Sequence, residues 1–528
     1  MFIPLSVLEF RDRAAAFWGD RVGVIDGDKR FTYREYAERT HRLANVLRDL
    51  GVEKGDRVAF ITYNTHQLLE AYYGVIEAGA VLAPINIRLA PHEIGYILGH
   101  SAAKVVFYHA DFTPLIAAIA PQLKDAPKFV VMEGEPGGPA THEYEGLLAA
   151  GSPHYERPEF DENDVAELFY TSGTTGLPKG VALSHRALHL HGVYGQVLLN
   201  FTEDDVMLHV VPLFHVNGWG TPHMITMVGG THVMLRRFTP HTMAALIEEH
   251  RVTYVLGVPV IFNTLLNFPE LRRYDLSSLK RCIIGGAPSA PTLIRAIEGA
   301  LGCEAIAGYG LSETSPIVSV AFPRRHLTER EPAEQRIERL AMTGWAMPGV
   351  QVRVVDVDGA DVRPDGRQIG EVVTRSNMVM AGYYRDDEAT AATIRDGWFH
   401  TGDMATIDEE GYILIKDRIK DVIIRGGQNI SSVEIEMALA VHPAVLECAV
   451  VAAPDEKWGE VPVAIVALKE GAEATVKELI AHCRKHLAPF KVPRRIEFRD
   501  QLPKGGTGKI LKAELREPFW AGMERRVH

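Results

Sequence analysis

Tyr170-Thr-Ser-Gly-Thr-Thr-Gly-Leu-Pro-Lys-Gly180 is the stretch from which the chain is best read. Glycines at 173, 176 and 180 let the backbone come close to a ligand. The hydroxyls of Thr171, Ser172, Thr174 and Thr175, with Lys179, supply the donors an anion requires. An apolar run, Leu168-Phe169-Tyr170, leads in, and a strand-like Val181-Ala-Leu-Ser184 leads out. Such a loop suits a polyphosphate. In a Walker loop the lysine is followed by Ser or Thr; here Pro178-Lys179-Gly180 stands, which disfavours a P-loop kinase.

Outward from this loop, helix-like and strand-like patches alternate. Residues 31–50 read as a helix, 55–61 as a turn and buried strand, 74–80 as helix and 80–85 as strand. The rhythm returns between 204 and 310, and such alternation predicts α/β layers. The 528 residues allow three or four units at the soft prior of roughly 150 residues per domain. A hydrophobic share of 46%, a charged share of 23% and a mean hydropathy of −0.03 exclude a fibrous or largely disordered chain. The net charge of −12 argues against a large nucleic-acid surface, which needs clustered positive charge. Four cysteines without a CxxC give neither a disulfide framework nor a zinc motif, so a reducing cytoplasm is expected.

Glu9, Arg11, Asp12 and Arg13 interrupt the N-terminal apolar residues, so no signal peptide is read there. The longest stretch without Asp, Glu, Lys or Arg is 206–235, but Pro212, Asn217, Pro222, four histidines and several glycines fit a buried pocket wall better than a membrane span. Its His209, His215, His223 and His232 do not form HExxH, which argues against a metal cluster. A composition change comes near 418. From there on, 18 basic residues face 15 acidic ones, against 38 and 53 in the preceding chain. That is either ordinary variation between domains or a small module that meets an anion. Ser431 to Glu434 and Thr475 to Glu478 have capping-box spacing. Val476, Leu479, Ile480, Cys483 and Leu487 follow a helical period, with strands expected at 448–453 and 461–468. The tail therefore reads as a compact α+β unit.

The 170–180 loop resembles the phosphate-loop signature of the adenylate-forming superfamily, which comprises acyl- and aryl-CoA ligases, adenylation domains of peptide synthetases and firefly luciferase. Five further segments are similar to the family's motifs, in order: Gly285-Gly-Ala-Pro288, Tyr309-Gly-Leu-Ser-Glu-Thr314, Trp398-Phe-His-Thr-Gly-Asp403, Lys416-Asp-Arg-Ile-Lys420 and Pro503-Lys-Gly-Gly-Thr-Gly-Lys509. The resemblance covers essentially the whole chain and is strongest to bacterial fatty-acyl-CoA ligases. It implies a large multi-subdomain N-terminal α/β domain (1–417), a hinge (418–420) and a small mobile C-terminal α+β domain (421–528).

The resemblance also implies roles. Thr171, Ser172, Gly173, Thr174, Thr175 and Lys179 would meet ATP phosphates, and Gly286, Ala287, Pro288, Tyr309, Gly310 and Ser312 the base and α-phosphate side of AMP. Bare glycine backbone and an aromatic face suit a flat base. Ser312 stands where many members carry Thr; both supply a hydroxyl. Glu313 resembles the Mg²⁺ ligand, a hard oxygen donor for a hard cation. Asp403 would accept the ribose hydroxyls, Arg418 would make a second nucleotide contact, and Lys420 would be the pivot. Lys509 would bridge the acid carboxylate and the α-phosphate. Phe214, His215, Trp219 and Gly310 would border the acyl pocket, with His215 counted among the catalytic residues, and Gly426, Gly427 and Gln428 would line the CoA tunnel. Taken singly, most of these have plainer readings as turns, caps or surface lysines.

The implied activity is an ATP-dependent acid–CoA ligase for a medium- or long-chain fatty, or similarly apolar, acid, using ATP, Mg²⁺ and CoA. An aryl, cyclic or short-chain acid is the alternative within the family. No acidic residue lies within 206–235 to pair an ammonium, so an α-amino acid is disfavoured. A luciferase-like oxygenase and an inactive nucleotide-binding regulator are remoter readings. The expected partners are small molecules, with no nucleic acid, no transmembrane segment and room for a homodimer.

Overall fold

The computed structural model describes residues 2–521 other than 125, 172–176, 427 and 506–507. Val58, Ala59, Phe60 and Ile61 are buried without a polar interruption, as strands covered on both faces require. They lie in the strand Arg57–Ile61, which runs parallel to Val81–Pro84 and Ala103–His109. The helix His66–Glu77 follows it and is buried along its whole length. Glu70 and Glu77 on this helix cannot stay charged in a core without cations. Arg39 Nε donates to Glu70 at 2.6 Å; Arg11 donates to both oxygens of Glu77 at 2.7 and 2.9 Å, and Arg157 to one of them at 2.8 Å.

Two large sheets result, one of eight strands and one of nine. A five-stranded sheet spanning residues 350–418 completes the large domain, and another five-stranded sheet, flanked by helices, forms the small one. In the nine-stranded sheet Val206–His209, Tyr254–Gly257, Arg281–Ile284 and Glu304–Gly310 are parallel neighbours. Their carboxyl ends therefore share one edge, where open α/β sheets bind ligands.

The local signals match the elements they announced. Thr475 and Glu478 close a reciprocal capping box on Val476–His486; Thr32 and Glu35 do the same on Tyr33–Asp49, within the helix read at 31–50. Ser431 accepts from Glu434 N at the head of Ser432–Ala440. Leu479 and Cys483 are buried as the period requires, whereas Val476, in the first turn, is 37% exposed. Asp403 lies inside the strand Trp398–Ile407, because that segment pairs on one side with Gly370–Ser376 and on the other with Ile413–Arg418.

Residues 206–235 form a strand, a tight turn, the helix Thr221–Val228 and the strand Thr231–Met234. Among the described residues no helix is long and apolar enough to cross a membrane. Of the four histidines, His209 and His232 bond each other at 2.9 Å, and His232 also meets the Thr226 hydroxyl at 3.0 Å. Among the described residues Asp26, His66 and Glu133 are the one group close enough to hold a metal ion. The guanidinium of Arg236 already bridges Asp26 and Glu133, so the negative charge there is matched by the chain itself.

Candidate active site

Four strand ends build the site. Glu304–Gly310 delivers Tyr309 and then the tight turn Ser312–Thr314. A Cβ on Gly310 would stand 2.0 Å from Pro316 O, so only glycine lets this turn fold back. The turn sets Glu313 at the edge, where its carboxyl accepts from Tyr383 Oη at 2.9 Å. Burial pushes Glu313 above the usual carboxylate range, the condition of an acid lacking a full counter-charge. Lys179 lies 5.0 Å over the Tyr383 ring and 3.9 Å from Asp386. Tyr383 thus stands between the phosphate-loop lysine and Glu313, a role that Gly382-Tyr383-Tyr384 gave no sign of. Thr171 and Lys179 pair at the mouth of the hairpin that carries the loop. Ser172, Gly173, Thr174 and Thr175 lie outside the described residues. An all-oxygen set of one carboxylate and neighbouring hydroxyls suits Mg²⁺.

The 350–418 sheet supplies the next pair. Asp403 and Arg418 are direct cross-strand partners, with Arg418 Nε 3.0 Å from Asp403 Oδ1. Tyr309 Oη donates to Asp403 Oδ2 at 2.7 Å. Burial, and then the charge of Asp403, hold the Tyr309 hydroxyl protonated far above neutral pH. One ring thereby ties two sheets together beneath a 4% exposed carboxylate. Beyond Arg281–Ile284, Gly285 is buried, Gly286 is exposed with φ of +74°, Ala287 is half-buried and Pro288 is exposed. This makes a ledge along the edge.

Beyond Val206–His209 come buried Phe214, half-buried His215 and Trp219. The Trp219 ring packs against the ledge: Cβ atoms on Gly285 and Gly286 would lie 3.1 and 3.5 Å from it. Burial, then the nearby Lys509 charge, pushes His215 down to about 4, so its imidazole is neutral at pH 7.

The small domain closes over this edge. A Cβ on Gly508 would lie 3.3 Å from Val258 and 3.6 Å from Val260, just past the end of Tyr254–Gly257. Gly505 N donates to Lys509 O at 2.8 Å and folds the loop back. The Lys509 side chain is reached by solvent but stands in a cleft ringed by protein. Arg418 first, then burial, pulls it down to about 8; Lys420 adds to this, and Asp403 and Asp421 oppose it. Lys420 is itself drawn to about 8 by burial and Arg418. Arg418, Lys420 and Lys509 thus gather positive charge at the cleft, beside Asp403 and Asp421. Gly426, with φ of +57°, sits under Trp458, whose ring is also met by Arg425 and Lys457; Gln428 is exposed on the adjoining strand and Gly427 lies outside the described residues. Trp458 and Val258 carried no readable signal in the sequence.

Comparison with known proteins now bears on the site. Residues 10–384 match the model of the AMP-binding enzyme, and residues 434–509 that of the AMP-binding enzyme C-terminal domain. The chain belongs to this family. It is 41% identical, over 98% of its length and 96% of the relative's, to a long-chain-fatty-acid–CoA ligase of Thermus thermophilus. It is 37% identical to a 3-methylmercaptopropionyl-CoA ligase of Ruegeria pomeroyi, over 98% of each chain. The crystal structure of the anthranilate CoA ligase AuaEII in complex with anthranoyl-AMP superposes with a TM-score of 0.91 at 27% identity, covering 98% of both chains. The protein is accordingly an AMP-forming acid–CoA ligase of the adenylate-forming superfamily, and uses ATP, Mg²⁺ and CoA.

Proposed function

We propose that this ligase activates a fatty or similarly apolar carboxylic acid and that the cleft described above performs the adenylation step. The observation that carries this is the entry of Lys509, from the small domain, among Arg418, Asp403 and His215 of the large one. The acid carboxylate attacks the α-phosphorus of ATP, a P–O bond forms, and pyrophosphate leaves. Lys509 neutralises the attacking and bridging oxygens, and Lys179 the charge gathering on pyrophosphate. Neutral His215 borders the carboxylate without adding charge of its own. The base rests on the Gly285–Pro288 ledge against Tyr309, while Asp403, steadied by Arg418, accepts the ribose hydroxyls. Glu313 would hold Mg²⁺, which when bound would supply further compensation of phosphate charge.

In the second step the CoA sulfur attacks the acyl carbon and AMP leaves. A swivel of the small domain about Lys420 withdraws Lys509 and presents the Gly426–Gln428 hairpin with Trp458 to the thiol. The four cysteines are free thiols, in keeping with a cytoplasmic enzyme.

Phe214, Trp219 and the absence of charge across 206–235 support an apolar acid. A second reading has its own support: Trp219 packs against Gly285 and takes up space beside the ledge, which favours an aryl or short-chain acid. A panel of fatty, aryl and short-chain acids, read by pyrophosphate release, tests the proposal. Highest kcat/KM on a medium- or long-chain acid supports it; preference for benzoate or propanoate replaces it with the second reading.

A further inference from the structure

Val216, Asn217, Gly218, Trp219 and Gly220 have φ of +30°, +40°, +53°, +63° and +80°. Together they make a left-handed turn, in which Gly218 N donates to His215 O at 3.1 Å and Gly220 N to Asn217 O at 2.9 Å. L-residues resist this hand, and a β-branched valine resists it most. Such a backbone persists only where its surroundings over-determine it.

The surroundings are specific. Asn217 is fully buried, and its amide donates to Glu167 Oε2 at 3.1 Å. Glu167, also fully buried, comes from the strand Val165–Thr171, far away in sequence. The other Glu167 oxygen is 3.4 Å from His223 Nε2, and His223 Nδ1 is 3.3 Å from Tyr73 Oη. The Asn217 Oδ1 has no hydrogen-bond partner among the described residues, so the amide is spent on Glu167. Cβ atoms on Gly218 and Gly220 would stand 2.7 Å from Leu213 and 2.3 Å from His191, which leaves the turn little room to slide. On its outer side the same turn lays Trp219 on Gly285 and Gly286.

We infer that Glu167, acting through Asn217, is a positioning residue that holds the Trp219 indole against the Gly285–Gly286 ledge and so sets how readily a long acid enters past it. The inference rests on the proposal that Trp219 borders the acid site. A short acid fits with the indole in place. A longer one displaces it, which requires the turn to give, and the Glu167–Asn217 hydrogen bond opposes that.

Asn217→Gly is the decisive variant, because glycine accepts positive φ and keeps the turn while removing its anchor. In the full-length enzyme, the ratio of kcat/KM for decanoate to that for propanoate should rise about tenfold, within the range a few methylenes command in an apolar pocket. The KM for ATP should stay within about twofold, since the phosphate side is untouched. Acrylamide quenching of Trp219, taken as the difference from the same protein carrying Trp219→Phe, should increase. Glu167→Leu should behave like Asn217→Gly, and Glu167→Gln, which keeps an acceptor for the amide, should behave like the unchanged enzyme. An Asn217→Gly enzyme that turns over acids with unchanged ratio and unchanged quenching overturns the inference. Failure of the unchanged enzyme to release pyrophosphate with any acid would overturn the functional proposal instead.

Discussion

Lys509 and Lys512 stand three residues apart on one segment, yet their surroundings treat them oppositely. Lys512 Nζ lies 2.7 Å from both Glu436 Oε1 and Ser432 Oγ. Asp417 Oδ2 accepts from Ser432 Oγ at 2.7 Å, so a second carboxylate stands behind the same ammonium. Burial works against its charge, but Glu436 and Asp417 prevail and hold it above the ordinary lysine range. Lys509 meets Arg418 and Lys420 instead, and falls to about 8. The same side chain is a structural rivet among carboxylates and, where Arg418 and Lys420 crowd it, a cation that sheds its proton nearer neutral pH. The rivet also positions that cation: Asp417 is in the last strand of the large domain, so Lys512 ties the Lys509 segment to the hinge.

The largest test of this contrast is Lys509→Ala. Acyl-AMP formation, followed as ATP–pyrophosphate exchange, should fall by about 10²–10³-fold, the usual loss for one charge-stabilising donor. Thioester formation from supplied acyl-AMP should be largely spared and the thermal midpoint unchanged. Equal loss of both steps would remove Lys509 from the proposed role.

Lys512→Ala should do the reverse in kind. Leaving Glu436 and Asp417 uncompensated should cost about 3–5 kcal/mol of stability in chemical denaturation, as for other broken buried pairs. Adenylation should decline less than in Lys509→Ala. A stable variant with normal unfolding would dissolve the distinction between the two lysines.

The two should also part with pH. Lys509 is protonated below about 8 and loses its proton above it, so adenylation kcat/KM should fall as pH rises through that point. Lys509→Arg should lack the fall, whereas Lys420→Arg should keep it, which separates the two lysines that share this value. Lys512, its value raised, contributes stability that is complete below the lysine range and lost only above it. The thermal midpoint should therefore not follow the Lys509 curve. The smallest effect belongs to a site remote from both: Thr475→Ala should cost about 1 kcal/mol through its lost helix cap, with normal kinetics.

Much of this was readable beforehand where the cause is local. Ser431 with Glu434 and Thr475 with Glu478 started helices as their spacing implied, because a cap is satisfied within three residues. Gly285 and Gly286 marked a place of close approach, although the ring that uses it, Trp219, came from another strand's end. The strand that holds Asp403 was not legible, because pairing on both its sides leaves no mark in a local string.

Residue order settled the class of chemistry through resemblance: six motifs stand in the order of the adenylate-forming superfamily, although singly most read as turns, caps or surface lysines. Long-range packing decided the rest. The opposite pKa shifts of Lys509 and Lys512, the place of Tyr383 between Lys179 and Glu313, and the left-handed turn under Trp219 all depend on partners far away along the chain. Burial, charge pairing and backbone hand at a given residue are set by what the fold brings against it, and no neighbour in sequence records that.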